Sequence, residues 1–314
     1  MTIIRVALDT PLDFCFDYRW CPEDPAAAAP LAGQLALVPF GRREMVGLIV
    51  AVGVETAVAP DKLKNALAIR SQLLALSEQW RALCMFAADY YQRPLGEVAL
   101  PGLPRNLRAL KTIALDRALK KLEKTGTTVH DATPAAMPVL NPEQRQAVDA
   151  IASAQGFMPH LLYGVTGSGK TEVYMQAAAH ILARFDDAQI LILVPEINLT
   201  PQLEGSIRAR FPGVAVATLH SSLAEGERMT HWLAAHLGSA RIILGTRLAI
   251  LASLPNLKLI VIDEEHDPSY KQQEGLRYSA RDLAVWRAHQ LQIPIVLGSA
   301  TPSLESWQHA QTGR

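Results

Sequence analysis

The run Gly164-Val165-Thr166-Gly167-Ser168-Gly169-Lys170-Thr171 fits the pattern G-x-x-x-x-G-K-[ST], and farther along LIVIDEEH sets Asp263 and Glu264 behind four apolar residues. A nucleoside triphosphate calls for such a pairing. Its negative charges are surrounded at close range by the backbone N–H groups of a glycine-rich turn and a helix N-terminus, where bulkier residues would block the approach. The pattern assigns Lys170 to the β and γ phosphates, the Thr171 hydroxyl and Asp263 to Mg²⁺, and Glu264 to the attacking water. These residues imply ATP and Mg²⁺ as cofactors.

The elements that must hold them follow from the apolar pattern. Strands HLLYG, QILILVP, VAVATLH, RIILGT, LKLIVID and IPIVLGSA alternate with helical stretches such as TEVYMQAAAHIL, which predicts an α/β lobe built on a parallel sheet. Carboxylates ending such a strand sit where α/β sheets place ligands. Just before this lobe, Asn141-Pro142-Glu143-Gln144 has two readings. Gln144 offers a donor and an acceptor that match adenine, while Asn141 and Pro142 equally form a helix start.

Upstream, TIIRVAL, FDYRW, QLALVPF and MVGLIVAVGV are short apolar runs with β-branched residues among them, separated by Pro, Gly and Ala-rich breaks, so residues 1–104 read as a small β-rich domain. It closes on the helix SEQWRALCMFAADYY, with Ser77 as N-cap and Trp80, Leu83, Cys84, Ala87 and Tyr91 at helical spacing. Between Arg105 and Lys124, Arg105, Arg108, Lys111, Arg117, Lys120, Lys121 and Lys124 face only Asp116 and Glu123. That run is a solvated helical face or a phosphate-contacting surface. TGTTVHDATPAAMPV then reads as a linker, which divides the chain into 1–104, 105–139 and 140–314.

Composition bounds the rest. The chain has 314 residues, 49% apolar and 19% charged, with zero formal net charge, so any nucleic-acid contact must be local. No apolar run reaches the 18 residues of a membrane span, and MTIIRVALDT has no secretory pattern. Cys15, Cys21 and Cys84 make neither a metal set nor a disulfide framework and suit a reducing cytoplasm.

VPEINLTPQ, LGTR, DEEH and LGSATPS, in that order, resemble the first RecA-like motor lobe of superfamily-2 helicases. The resemblance implies that Glu196, Thr200, Thr246 and Arg247 line a nucleic-acid track and that Ser299, Ala300 and Thr301 couple it to the nucleotide site. The longer string DEEHDPSYKQQEGLRYSARDLAVWRAH resembles the PriA family of primosomal replication-restart helicases. There the loop senses single-stranded DNA, which implies contacts by Tyr270, Lys271, Gln272, Gln273, Arg277 and Tyr278, with the tyrosines stacking bases. PLDFCFDYRW, VPFGRREMVGLIV and FAADYYQRPLGEV resemble that family's domain for the 3′ end of a nascent strand. Its pocket then comprises Phe16, Asp17, Tyr18 and Gly41, with Lys64 a weaker match. By itself Asp17 reads as a surface-turn residue. The resemblance makes it an acceptor for a sugar 3′-hydroxyl that repels a phosphorylated end.

Two departures from the family stand out. Its winged-helix domain is reduced or missing, since DRALKKLEKTGTTVH could be no more than a remnant of its last helix. The 314 residues also hold no second motor lobe, no cysteine-rich zinc module and no final arginine motif. The expectation is therefore the N-terminal portion of an ATP-dependent 3′-to-5′ DNA helicase for replication restart at abandoned forks. Its partners would be forked and single-stranded DNA, single-stranded DNA-binding protein and primosome proteins. The alternatives are a fork-binding module that holds ATP without productive hydrolysis, or an RNA-directed DExH motor.

Overall fold

The computed structural model describes residues 2–22, 28–109, 113–125, 137–196 and 199–313. Lys111 and most of the expected linker lie outside the described residues. The chain falls into two compact units, Met1–Leu119 and Lys120–Arg314, and the break lies within the basic run Arg105–Lys124, ahead of the stretch read as linker.

In the first unit, β1 (Thr2–Ala7), β2 (Phe16–Trp20), β3 (Leu35–Phe40), β4 (Arg43–Val52) and β5 (Ala68–Ile69) pair antiparallel in the order β2-β1-β4-β3-β5. The sheet then closes on itself. Arg19 of β2 bridges Asn65, Arg19 N–H donates to Lys64 O and Ala66 N–H to Arg19 O, while β5 pairs with β3. Ile4, Val6, Tyr18, Ala36, Val38 and Ile49 fill this small barrel. Closure brings β2, the β3–β4 hairpin and residues 64–66 together, although β2 and β3 stand apart in sheet order. α1 (Glu78–Tyr91) starts where Ser77 Oγ accepts from Trp80 N–H, and it buries Trp80, Leu83, Cys84 and Ala87 as its spacing predicts, while Tyr91 at its end is half-buried. The short α2 (Leu95–Ala99) and α3 (Arg105–Arg108) follow. α4 (Ile113–Thr125) buries Leu115 and Ala118 and exposes Arg117 and Lys120.

The second unit opens on α5 (Pro142–Ser153) and alternates β6 (Met158–Tyr163), α6 (Lys170–Arg184), β7 (Gln189–Leu193), α7 (Pro201–Arg210), β8 (Val216–Leu219), α8 (Glu225–His236) and β9 (Ile242–Gly245). After a 3₁₀ turn at Arg247–Leu251 come β10 (Leu257–Ile262), a second such turn at Pro268–Tyr270, α9 (Ala280–Leu291), β11 (Pro294–Ser299) and α10 (Leu304–Thr312). All strand pairs are parallel, in the order β6-β11-β10-β7-β9-β8, around a core that includes Ile190, Ile192, Leu259, Val261 and Val296. This is the α/β lobe that the sequence predicts. Parallel strands end together, so every motif lands on one edge of the sheet. β6, β11 and β10 are neighbours, which sets the phosphate loop, the SATPS motif and the DEEH motif side by side. The other half of the edge carries Glu196, His220 and Thr246. Among the described residues no helix is long and apolar enough to cross a membrane.

Candidate nucleotide and nucleic-acid sites

The phosphate loop leaves β6 and delivers Lys170 as the first residue of α6, with Gly167 and Gly169 at φ 80° and 83°. Those left-handed angles strain any side chain, and at Gly169 a β-carbon would stand 2.5 Å from Gln144 Nε2. Gly167 faces open space. Lys170 Nζ donates to Gly164 O (2.8 Å) and stands 3.5 Å from Glu264 Oε1. Val165, Thr166, Gly167 and Thr171 are exposed, and Gly164 N–H donates to Ser299 O, which ties the loop to β11.

Of the two readings of Gln144, the structure realises the helix start. Asn141 Oδ1 accepts from Gln144 N–H (2.8 Å) and Gln144 Oε1 from Asn141 N–H (3.0 Å), a reciprocal capping box. The remaining end of the amide, Nε2, donates to Ser168 O (2.9 Å). Both ends of the amide that would read adenine are thus engaged, one on its own helix and one on the phosphate loop.

Asp263 follows β10, and Tyr174 of α6 donates to its Oδ1 (3.1 Å). Burial pushes the Asp263 carboxyl above the usual range, and the Tyr174 hydrogen bond only partly opposes that. Glu264 takes a left-handed backbone, φ 46°. Its Oε2 accepts from Ala300 N–H (3.4 Å) and stands 3.7 Å from His266 Nδ1. The two residues that complete DEEH have the densest connections. His266 joins Ser299 Oγ (2.7 Å) through Nδ1 and Thr301 Oγ1 (3.2 Å) through Nε2. The Glu265 side chain is fully buried and accepts from Ser303 N–H (2.7 Å), Ser306 Oγ–H (3.1 Å) and Arg281 Nη1 (3.1 Å). Sequence reasoning missed Tyr174, Glu265, His266 and Arg281. The run DEEH itself was the signal for two of them, since its third and fourth residues also follow a buried strand.

Several residues expected to touch nucleic acid have other positions. Tyr270 is buried and its hydroxyl lies 2.6 Å from Asp263 O and 3.0 Å from Leu193 O, so it pins the loop to the sheet instead of stacking a base. Tyr278 is buried as well. Gln272 N–H donates to Tyr278 O, and Lys271 pairs with Ser279, which turns Lys271, Gln273 and Arg277 outward at the loop surface. That surface suits phosphates rather than base faces. Thr246 is buried, with its N–H on Leu219 O. Arg247 donates to Ser269 O (3.0 Å) and reaches to 4.0 Å from Glu196. Glu196 and Thr200 are exposed, Thr200 as N-cap of α7.

In the barrel, Asp17 lies within β2, directly opposite Arg5 of β1, and not in a surface turn. Arg5 grips both carboxylate oxygens (2.8 and 3.1 Å), which with a hydrogen bond from Thr56 holds the Asp17 carboxyl below its usual range. Strand alternation turns Phe16 and Tyr18 to the opposite, core-facing side. The Tyr18 hydroxyl donates to Pro39 O (3.2 Å), and burial pushes its pKa up to about 12. The expected pocket is therefore split, with Tyr18 structural and Asp17 on the outer face. Phe16 packs edge-on to Phe40 (5.2 Å) at the start of the open hairpin at Gly41, and Lys64 is exposed.

Comparison with known proteins gives two family matches. The DEAD/DEAH box helicase model matches residues 141–309, and the 3′DNA-binding domain (3′BD) model matches residues 5–104. The replication restart protein PriA of Haemophilus influenzae is 35% identical across all of this chain and 51% of the relative, and that of Treponema pallidum 34% across 97% and 44%. The Synechocystis protein of the same name is 52% identical over 54% of this chain and 20% of its own. The chain thus spans about half the length, or less, of the curated relatives it matches.

Proposed function

We propose that this chain, which belongs to the DEAD/DEAH box helicase family and resembles PriA throughout its length, is the ATP-binding and fork-reading part of a 3′-to-5′ DNA helicase for replication restart. What carries the reading is one combination. A phosphate loop and DEEH carboxylates share a sheet edge in the same chain as a 3′ DNA-binding barrel. We take residues 1–104 as the end-binding domain, 105–139 as a basic connection and 140–314 as the motor lobe.

The nucleotide site fits a magnesium-bound triphosphate. Gly167 leaves the cradle open, Lys170 already points along the loop, and the Asp263 carboxyl is pushed up by burial that a divalent cation would offset. Lys170 and the N–H groups ahead of α6 would hold the phosphates, and Thr171 and Asp263 the metal. When bound, the magnesium supplies charge neutralisation at the transferring phosphate. Tyr174 orients Asp263, and Glu264, 3.5 Å from Lys170, would orient water. His266 and Glu265 connect this centre to Ser299, Thr301 and Ser303, so a strand held beside Arg247, Lys271 and Arg277 would bias the same network. Forked and single-stranded DNA are the proposed ligands. Single-stranded DNA-binding protein and primosome proteins are proposed partners of the whole protein, zinc is its proposed second metal, and its place is the cytoplasm.

At the barrel, Arg5 and Thr56 hold the Asp17 carboxylate, and that side chain is 8% exposed. A sugar hydroxyl would have to take the part of its roughly four lone-pair positions that these leave, with the exposed Arg5 side chain moving aside. A model fork ending in a 3′-hydroxyl is expected to bind more tightly than one ending in a 3′-phosphate, at fixed salt. Asp17→Ala removes the hydroxyl's acceptor and frees Arg5, whose side chain is 40% exposed, for the phosphate. The preference should therefore vanish or reverse. Equal binding of both ends by the unmodified chain would refute the fork-end reading.

A further inference from the structure

Asp263, the proposed metal ligand, is held at three points. Its N–H donates to Leu193 O (2.9 Å), the Tyr270 hydroxyl lies 2.6 Å from its carbonyl oxygen, and the Tyr174 hydroxyl donates to its Oδ1 (3.1 Å). Tyr174 is buried on α6, one turn after Lys170, so the helix that starts at the phosphate loop also grips the carboxylate. The LGSATPS motif is shaped around that grip. A β-carbon at Gly298 would fall on the Tyr174 hydroxyl and stand 2.7 Å from its Cζ. Gly298 lies within β11 and has no left-handed φ, so its backbone would accept a side chain and the tyrosine is what excludes one.

A buried tyrosine whose hydroxyl finds an acceptor needs no function. What distinguishes Tyr174 is the atom it holds, because divalent cations differ in what they ask of a carboxylate. Magnesium demands short bonds in near-octahedral geometry, whereas calcium takes more and longer bonds and often both oxygens of one carboxylate. A carboxylate fixed in one rotamer, with a donor already on one oxygen, suits the first and hinders the second. We infer that Tyr174 sets the site's choice of magnesium over calcium, by holding Oδ1 of Asp263, and that position 298 is glycine to admit the hydroxyl that does so. The inference rests on the nucleotide-site reading and adds which residue selects its cation. Tyr174 is thus a positioning residue that acts through Asp263.

The test titrates magnesium, and separately calcium, into the full chain with a fluorescent ATP analogue and reads the metal concentration that half-saturates binding. Wild type should need less magnesium than calcium. Tyr174→Phe should shrink that preference roughly 3- to 10-fold, mainly by weakening the response to magnesium. Gly298→Ala keeps the tyrosine but displaces its hydroxyl, so it should shift the preference the same way, and the double variant no further. A thermal melt reports whether each variant folds, and Gly298→Ala carries the test if Tyr174→Phe does not. Equal response of the wild type to both metals would overturn this inference alone. So would an unchanged preference in a folded variant, or an equal loss for both metals, which would leave Tyr174 a packing residue. A wild-type chain that binds the analogue with neither metal would overturn both it and the nucleotide-site reading.

Discussion

Replacing Glu265 with alanine should destabilise the motor lobe by about 3–5 kcal/mol, the usual loss when one partner of a buried ion pair is removed. The carboxylate is fully buried and holds four donors: Arg281 of α9, the Ser303 N–H and hydroxyl at the start of α10 and the Ser306 hydroxyl. Alanine offers none of them an acceptor. A buried donor left unpaired costs about 1–3 kcal/mol by itself. Arg281, 28% exposed, would recover part of its loss by turning to water or to Asp282, 3.2 Å from its Nε. Removing the orphaned charge as well, in Glu265→Ala with Arg281→Ala, should recover some stability, and that non-additivity marks the pair. Urea unfolding followed by circular dichroism measures both variants. A midpoint shift within error of zero for Glu265→Ala would mean that the network is incidental.

The second large effect is on ligand binding. Lys170→Ala should weaken magnesium–ATP binding by roughly 10- to 150-fold, from the ~1.5–3 kcal/mol of a hydrogen bond to a charged group. The fold should survive. Among the described residues Lys170 Nζ meets the Gly164 carbonyl and Glu264, and Glu264 keeps 23% of its side chain exposed to water. Titration with a fluorescent ATP analogue reads the affinity, and a thermal melt the fold. Unchanged affinity would remove Lys170 from the phosphate site, while joint loss of folding and binding would make its role structural.

The motor lobe was legible because its signals are local. The central strands are runs of buried apolar residues rich in Ile, Leu and Val, and parallel pairing carries every run's end to the same edge, where carboxylates ending a strand were expected. The barrel was only half legible. Its first four strands were visible, but two residues of β5 and a bridge at Asn65 close the sheet, and nothing in their sequence announces it. The partner of Asp17 was hidden for the same reason: Arg5 meets it through strand register, which motif reading does not track. Tyr270 and Tyr278 show the opposite failure. Aromatic residues among basic ones suggest base stacking, yet a phenol's one polar atom can be satisfied by backbone carbonyls, which lets the ring go inside.

The left-handed backbone of Glu264 has a consequence for anyone who redesigns this lobe. Among residues with side chains that conformation costs about 1–2 kcal/mol, and glycine adopts it freely. A search guided by thermal tolerance alone would therefore drift toward glycine at position 264 and return a hardier lobe without the Glu264 carboxylate that stands 3.5 Å from Lys170. Selecting for heat resistance and selecting for turnover pull this residue in opposite directions, and a stabilised library should keep position 264 fixed.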